Sequence, residues 1–413
     1  MQVAGVAFVV DPALAARVLL FTLGGVAVGT VTGLVPGLHA NNFALLLASV
    51  APAIPGPPAL VGAAMLAAGV AHTFLDVVPA VSLGVPDAAM AASALPGHQL
   101  VIDGRGHEAL RLSALGSATA AALALPLAWP VTAAMVRVYP VLRPNLRTVL
   151  VAAVVFLVAT EVTPRARVGG LGLFLASGAL GLLTLDVTPA APLDAGGMLA
   201  PLFAGLFGAP VLLDAMGGEG LPPQRDSTIA VPRTVVAATA VAGTVAGAAV
   251  GYLPGVSSAI AAVLVLSLIP STAGPRGFLV TTSGVNTANV IFAIFALEAL
   301  GSPRTGVLVA FDAANVPLNL PLLLAAVGVA AAVSFPLVWV VGDRYLDAVG
   351  RIDYTRLSLA VFGGLVVVAF LFGGPLGVLA FAAATGLGLL PARLGCRRAH
   401  LMGVLLLPLV LAG

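Results

Sequence analysis

Charge is scarce in this 413-residue sequence, and lysine is absent from it altogether. Only 8% of the residues are charged, whereas a soluble domain averages about 25%, so the chain cannot be a soluble globular enzyme. Without lysine there is no Schiff-base residue and no Walker A motif, which excludes ATP binding by that route. If the chain pumps a solute, an ion gradient or a partner must drive it.

The sequence also has a single cysteine and a small net charge. Cys396 is the single cysteine, which excludes an internal disulfide and a cysteine-rich metal site. The 18 basic residues, all arginine, nearly balance 16 acidic ones, and a net charge of +2 is too small for nucleic-acid binding. The first arginine, Arg17, lies beside an apolar run, so we predict a retained first span rather than a cleaved signal peptide.

Hydrophobic residues make up 60% of the sequence, so lipid must be the solvent for most of the chain. Because a span needs about 20 apolar residues, we predict an all-α polytopic membrane protein with about 10–12 transmembrane helices. The candidate spans are 13–34, 58–83, 112–136, 147–162, 168–185, 195–213, 234–251, 277–300, 320–341, 357–373 and 375–391. The shorter runs, at 38–52, 256–270, 305–318 and 399–412, favour re-entrant or half-helices.

Two stretches of the chain are alike. Gly33-Leu-Val-Pro-Gly37-Leu and Gly251-Tyr-Leu-Pro-Gly255-Val are offset by 218 residues, and each precedes one of the short apolar runs. We therefore predict a duplicated unit of the kind that builds many secondary transporters. The predicted divisions are a first repeat 1–213 with a re-entrant segment 36–52, a polar linker 214–233, and a second repeat 234–413 with a re-entrant segment 254–270. We expect an inverted repeat, although span parity alone leaves this open.

Each Pro-Gly break predicts a half-helix that restarts inside the membrane. Proline removes a backbone donor and glycine permits a turn, and the free N–H groups of a new helix N-terminus attract anions. The candidate substrate-binding residues at the two breaks are Gly37, His39, Asn41, Asn42, Gly255, Ser257 and Ser258. The alternative is that Pro-Gly ends a helix at the membrane surface and the polar residues are caps.

Two polar groups interrupt apolar spans. His72 and Asp76 share a helix face at i, i+4 with Thr73 beside them, and ionisable groups at membrane depth predict function, here proton or Na⁺ coupling. The alternatives are a solvated salt bridge near the headgroups or, less simply, an intramembrane hydrolase. The second group comprises Asn286, Thr287 and Asn289. These residues would complete the substrate site, or they would only form hydrogen bonds between packed helices.

Polar residues outside the spans are concentrated at 84–111 and in the predicted linker. Arg105 or Arg111 could touch an anionic ligand there, and a solvated loop is the alternative. Arginines also gather in 342–356 and 393–398, which lie on one side if 357–373 and 375–391 form a hairpin. The positive-inside rule then predicts that these two loops are cytoplasmic.

The ordered motifs resemble one known family. Gly33-Leu-Val-Pro-Gly37-Leu, the loop Gly97-His…Gly104-Arg-Gly-x-x-Ala-Leu110 and Gly251-Tyr-Leu-Pro-Gly255 are similar to the TctA family, the large membrane subunit of tripartite tricarboxylate transporters. The stretch Ser283-Gly-Val-Asn-Thr-Ala-Asn289 resembles its shorter archaeal branch. The resemblance implies a plasma-membrane carrier of organic anions, not an enzyme, that works with a small membrane subunit and a solute-binding protein.

A second resemblance leaves an alternative open. Pro254-Gly-Val-Ser257 is similar to a motif of polyprenyl-phosphate translocases, which would make the chain a lipid-carrier flippase. Our leading prediction is an ion-coupled secondary transporter of small organic anions such as di- and tricarboxylates, without a cofactor and driven by an H⁺ or Na⁺ gradient. A homo-oligomer is compatible with either function.

Overall fold

The computed structural model describes the chain except residues 1, 4–5, 8–10, 37, 39–42, 45–46, 48–49, 85–93, 194–196, 217–220, 226–227, 254–257, 259–260, 262–263, 266–272, 352 and 413. Two short strands, β1 (Gln2–Val3) and β2 (Val6–Ala7), pair antiparallel. The helices are α1 (Pro12–Gly33), α2 (Pro58–Leu75), α3 (Val77–Leu83), α4 (Ala94–Ile102), α5 (Gly106–Leu142), α6 (Leu146–Ala159), α7 (Pro164–Thr184), α8 (Leu199–Phe203), α9 (Ala209–Ala215), α10 (Arg233–Tyr252), α11 (Gly274–Leu300), α12 (Gly306–Ala313), α13 (Leu320–Arg351), α14 (Tyr354–Gly388), α15 (Leu390–Leu394) and α16 (Gly403–Ala412). Short 3₁₀ turns cover Ala51–Ala53, Arg143–Asn145 and Arg398–Met402, and a π-helical turn covers Ala204–Gly208.

The all-α polytopic fold class is confirmed. Within the described residues, eight helical stretches are long and apolar enough to cross a membrane. Two of these stretches, 106–159 and 355–394, are 54 and 40 residues long and each contains two of the spans predicted from the sequence. The difference between eight stretches and the predicted 10–12 spans therefore comes largely from helices that follow each other without a loop.

Local sequence signals account for many helix ends. The Asp11 side chain accepts hydrogen bonds from two backbone N–H groups at the start of α1, and Thr163 and Asp353 cap α7 and α14 in the same way. At the other end, Gly84 and Gly301 take the left-handed conformation that closes α3 and α11.

Helices α2 and α11 lie at the centre of the molecule. Nearly every side chain of both helices is buried, including Phe74 of α2 and Ile291 of α11. The surrounding helices instead expose large apolar side chains, such as Leu20 of α1, Leu183 of α7 and Leu379 of α14. An apolar exterior around a buried centre is what a lipid environment favours.

Glycines let two helix pairs pack at backbone contact. A Cβ added at Gly25 or Gly29 of α1 would lie 2.2 Å from a carbonyl oxygen of α2, at Ala64 and Ala68 respectively. In the second half, a Cβ at Gly243 of α10 would lie 2.5 Å from the Thr281 carbonyl oxygen of α11. Spacing of glycines by four residues keeps them on one helix face, which is why the chains can approach so closely.

The order of these contacts fixes the helix directions. Gly25, Gly29 and Gly33 of α1 meet successively later residues of α2, so α1 and α2 are parallel neighbours. The same order holds for Gly243 and Gly247 of α10 against α11, so this pair is also parallel. In each parallel pair, the end of the first helix and the start of the second therefore lie at opposite ends of the pair.

The two pairs run in opposite directions. Gly62 near the start of α2 packs on Val316, just before α13, and Val78 of α3 packs on Gly342 near the end of α13. The end of α13 also meets the start of α5, where Arg276 at the start of α11 binds Glu108. Helices α2–α3 therefore run toward the end of the bundle at which α11 begins.

Helix α14 is a hairpin, as the sequence predicted. Its backbone is non-helical at Gly374, with φ 57° and ψ −154°, and a Cβ at Gly377 would lie 2.5 Å from the carbonyl oxygen of Ala369 in the other arm. The residues that precede and follow the hairpin consequently lie at the same end of the bundle. We call this the Arg397 end, which holds Glu108, Asp343 and Arg397, and the opposite one the Gly374 end.

Buried apolar residues form two large clusters. The central cluster includes Leu66, Ile291 and Val327 and is built mainly by α2, α5, α11 and α13. The peripheral cluster includes Leu157, Phe207 and Leu401 and is built by α6, α7, the 199–212 helices, the second arm of α14, and α16. Of the described residues predicted to act in transport, all but Ser258 lie on α2, at its end or on α11, which are helices of the central cluster.

Candidate functional site

A helix break positions the first polar group. Helix α2 ends at Leu75 and α3 begins at Val77, with Asp76 between them, although the sequence is apolar on both sides. Pro79 explains the break, because its ring has no N–H to donate to the Leu75 carbonyl and crowds that carbonyl in a continuous helix. The interruption lies where Asp76 faces α11.

Asp76 and Asn286 are hydrogen-bonded across the centre of the bundle. The Asn286 Nδ2 atom donates to the Asp76 Oδ2 atom at 2.7 Å, and both side chains are only 4% exposed. Asn286 is twelve residues from the start of α11 and fourteen from its end, so the contact lies near the middle of a helix that is long and apolar enough to span a membrane. The prediction that these two groups serve one site is consistent with this contact.

Two threonines extend the contact. The Thr73 and Thr287 Oγ1 atoms lie 3.4 Å apart, and both residues are buried. The Thr73 hydroxyl donates to the Val70 carbonyl oxygen at 2.8 Å, so its oxygen is available to accept from Thr287. Four side chains, two from each half of the chain, therefore meet in one buried polar patch, which we call the central polar site: Thr73, Asp76, Asn286 and Thr287.

His72 adjoins this site on the side of α1. It is fully buried, its Nδ1 atom lies 3.2 Å from the Thr32 Oγ1 atom, and its ring stacks on Phe43 with 5.2 Å between ring centroids. The Thr32 hydroxyl also lies within hydrogen-bond distance of carbonyl oxygens one turn earlier in α1, and when it donates to them its oxygen can accept the Nδ1 proton of His72. The solvated salt bridge that the sequence left open is wrong, because both His72 and Asp76 are buried.

Thr32 and Phe43 were not predicted from the sequence as residues of the site. Thr32 lies one turn beyond Gly29, on the part of α1 that touches α2, so a search for polar residues next to the glycine face would have found it. Phe43 belongs to the short apolar run after the first Pro-Gly break and was grouped with the other apolar residues. Its stacking on His72 brings that run beside the central polar site.

The remaining candidates are only partly described. Gly37, His39, Asn41, Asn42, Gly255 and Ser257 lie outside the described residues. Ser258 is buried, and Asn289 is half-buried with its Oδ1 atom lacking a hydrogen-bond partner within the described part of the chain. The backbone of Asn289 packs against Gly251 of α10. On α11, Asn289 lies about one helical turn after Asn286.

The chemistry of the central polar site follows from its donor set. A carboxylate, an amide and two hydroxyls supply oxygen atoms of the kind that bind hard cations, and a buried carboxylate is costly unless a proton or cation accompanies it. An imidazole lies four residues before the carboxylate on the same chain. Such a group can exchange a proton or bind Na⁺ inside the membrane.

The polar stretch 94–111 is a docking surface for part of the predicted linker, and it is not the predicted loop, because α4 and the start of α5 make most of it helical. The Gly106 N–H donates to Gln224 Oε1 at 2.8 Å, Gln224 Nε2 donates to the Val101 carbonyl at 3.1 Å, and the Arg225 N–H donates to the Gly104 carbonyl at 2.9 Å. Nearby, the Nδ1 atom of His98 lies 2.7 Å from the Val81 carbonyl oxygen, and burial lowers the pKa of this histidine.

Arg105 takes part in this docking through contacts with the protein itself. It binds the carboxylate of Glu108 and donates to the Thr228 carbonyl at 3.1 Å. Glu108 is fully buried and also accepts from Arg276 Nε at 2.8 Å and from the Ala230 N–H at 2.7 Å. Arg105 therefore contacts groups of the protein itself, and the anion contact expected of Arg105 or Arg111 stays a prediction.

A second buried carboxylate joins the helices of the peripheral cluster. Glu161 accepts from the Arg397 N–H at 3.0 Å and lies 2.9 Å from His400 Nε2. The Arg397 guanidinium also donates to the Thr160 carbonyl at 2.6 Å. The loop after α6 is thereby fastened to the chain after α15, far from the central polar site, and its role is structural.

Comparison with known proteins identifies relatives over nearly the whole chain. The tripartite tricarboxylate transporter TctA family matches residues 19–403. An uncharacterized protein of Methanocaldococcus jannaschii is 26% identical over 406 residues, which cover 95% of this chain and 98% of that protein. No solved structure matches.

Proposed function

Because the chain belongs to the tripartite tricarboxylate transporter TctA family, we propose that it is an ion-coupled secondary transporter of small organic anions such as di- and tricarboxylates. The family is a component of transporters and not a family of enzymes, and eight apolar helical stretches support a multi-pass membrane protein. Substrate class, coupling and the transport site are the parts that we propose.

The hydrogen bond between Asp76 and Asn286 carries the proposal. It sets a carboxylate beside the middle of α11, between two almost fully buried helices, where a merely structural contact would favour an apolar pair. In our proposal the coupling ion, H⁺ or Na⁺, binds at Asp76 with Thr73, while His72 assists from the neighbouring turn. Charge neutralisation of Asp76 then accompanies each transport cycle.

We propose that the substrate anion binds beside this site at the two Pro-Gly breaks. Support comes from the parallel arrangement of α1 with α2 and of α10 with α11, since in each pair the helix ends that flank the predicted re-entrant position lie at opposite ends of the pair. Phe43, which belongs to the first predicted re-entrant segment, stacks on His72 next to the coupling residues. Asn286, Thr287 and Asn289 would complete the anion site with neutral donors.

We further propose that the two halves are inverted repeats. The contact partners of Gly25 and Gly243, Ala64 and Thr281, are offset by 217 residues, close to the 218 of the glycines themselves. The pair α1–α2 runs opposite to α10–α11, as inversion requires. In this register His72 corresponds to Asn289, so the first repeat supplies titratable groups where the second supplies an amide.

The family works with a small membrane subunit and an extracytoplasmic solute-binding protein, and we propose the same partners here. We place the loops 342–356 and 393–398 in the cytoplasm, at the Arg397 end. A solute-binding protein would then dock at the Gly374 end.

Uptake into proteoliposomes tests the function. Labelled di- and tricarboxylates should accumulate only under an inward H⁺ or Na⁺ gradient, and Asp76→Asn should abolish the gradient-driven part while the protein stays folded. Asp186→Asn, which neutralises an exposed carboxylate at the end of α7, is the matched control and should transport normally. Lack of gradient-dependent uptake across the panel would reject the proposal, and movement of a polyprenyl phosphate between leaflets instead would favour the flippase alternative.

A further inference from the structure

A cleft of about 440 Å³ lies at the Gly374 end, between the central and peripheral clusters. Its walls come from the end of α5, the start of α6, the loop between α11 and α12, and α16. The lining residues are Tyr139, Arg143, Pro144, Leu146, Arg147, Leu150, Leu300, Ser302, Arg304 and Leu409. This cleft is remote from the central polar site, because it lies beyond the far end of α11.

Positive charge dominates the cleft. Three arginines line it together with no carboxylate, and within the described residues Arg143, Arg147 and Arg304 form no ion pair. The chain has only 18 basic residues, so three of them in one cleft are a marked concentration. Unpaired like charges repel unless an anion lies between them.

Arg304 is held in place as a donor. Its Nη2 atom donates to the Tyr139 hydroxyl at 2.6 Å, and its guanidinium carbon lies 5.5 Å from the centroid of the Tyr139 ring. Its Nε atom is buried without an acceptor within the described part of the chain. A preorganised guanidinium with unused donors matches a phosphate or carboxylate oxygen pair.

The lining of the cleft is also partly apolar. Leu146, Leu150, Leu300 and Leu409 contribute this part, and Val141 in the preceding turn of α5 is 67% exposed on the outer surface. A cleft lined by both arginines and leucines, at the end of a bundle of apolar helices, suits a ligand with an anionic head and an apolar remainder. A small hydrophilic anion would use the arginines alone.

We propose that this cleft is a second anion site that binds a phosphate group, with the arginines as ligands and the leucines receiving adjoining apolar atoms. Both an anionic lipid headgroup and free phosphate carry this chemistry. Occupied by a lipid, the site would bridge the central and peripheral clusters at one end of the bundle. It would therefore tie the helices that carry the transport site to those that surround them.

Binding to the purified full chain in a neutral detergent tests the proposal. The probes are phosphatidylglycerol, phosphatidylcholine and inorganic phosphate, each titrated while bound lipid is counted by native mass spectrometry and the unfolding midpoint is recorded. We expect phosphatidylglycerol to bind, with affinity reduced about tenfold by either Arg143→Gln or Arg147→Gln, since each removes a charge-assisted hydrogen bond. Both arginines are exposed, so these variants should fold.

Arg344→Gln provides the control, because Arg344 is exposed at the Arg397 end and its loss removes the same charge. Saturable binding of inorganic phosphate that depends on Arg143 and Arg147, with no preference for the lipid, would support the site and assign its ligand to the free anion. The proposal would be overturned if Arg143→Gln and Arg147→Gln bound both phosphatidylglycerol and inorganic phosphate with the affinity of wild type.

Discussion

The amide of Asn286 donates to the carboxylate of Asp76 at 2.7 Å, so residues 210 positions apart in the chain share one buried hydrogen bond. Helices α2 and α11 meet at this bond in the middle of the bundle. The pair joins the two halves of the chain and, in our proposal, binds the coupling ion. Stability and transport should therefore both depend on it, and the two effects can be separated.

Removal of the amide should destabilise the protein through Asp76. We expect Asn286→Ala to cost about 1–3 kcal/mol, because the buried carboxylate loses a donor. In an Asp76→Asn background the same change should cost less, since no charge is left unsupported. Thermal unfolding in detergent of the two single variants and the double variant measures the difference, with Asn145→Ala, an exposed asparagine, as control. Equal costs in both backgrounds would mean that the bond contributes nothing.

Close helix packing should depend on particular glycines and not on their neighbours. A Cβ at Gly25 would lie 2.2 Å from the Ala64 carbonyl oxygen, whereas nothing lies within 4 Å of a Cβ at Gly24. Gly25→Ala should therefore force α1 from α2 and destabilise by about 1–3 kcal/mol. Gly24→Ala should be neutral or stabilise by up to about 1 kcal/mol, because alanine favours the helix. Unfolding midpoints of the two variants check this, and equal midpoints would contradict the packing.

The positions of the helices could be predicted from the sequence because they depend on local patterns. The apolar runs gave the spans, and Gly373-Gly374-Pro375 gave the hairpin, since glycine permits the reversal and proline starts the second arm. Gly33 and Gly251 were predicted to belong to a repeat. Their partners could not be named, because sequence spacing says which residues share a face but not what that face meets.

The central polar site was accessible only in part. His72 and Asp76 stood out as ionisable groups in an apolar span, and Asn286 and Thr287 as a polar patch in another. That Asp76 meets Asn286 follows from the register of two helices far apart in the chain, which no local pattern encodes. Similarly, Gln224 in the predicted linker gave no sign that it would bind the backbone of Val101 and Gly106.

The buried carboxylate at the Arg397 end should be essential for stability. Glu108 accepts from Arg105, Arg276 and Ala230 and joins α5, α11 and the docked linker. Glu108→Gln should cost about 3–5 kcal/mol, because two guanidiniums lose their partner in a buried setting. Asp353→Asn, in a pair with Arg356 that is exposed and 4.0 Å apart, should change stability by less than about 0.5 kcal/mol. Denaturation of both variants measures the two changes in the free energy of unfolding. Similar losses of stability in Glu108→Gln and Asp353→Asn would contradict the assigned role of Glu108.

Membrane orientation can be read from single cysteines, because Cys396 is the only one to replace. Burial raises the pKa of the Cys396 thiol, which slows its alkylation near neutral pH, and Cys396→Ser removes it altogether. In that background, an impermeant maleimide applied to intact cells should label Asp186→Cys, since α7 ends beside the hairpin tip where Gly374 packs on Ala190. Arg356→Cys, at the exposed start of α14, should react only after the cells are opened. The reverse pattern would place the Arg397 end outside and would overturn both the cytoplasmic assignment of the arginine-rich loops and the docking of a solute-binding protein at the Gly374 end.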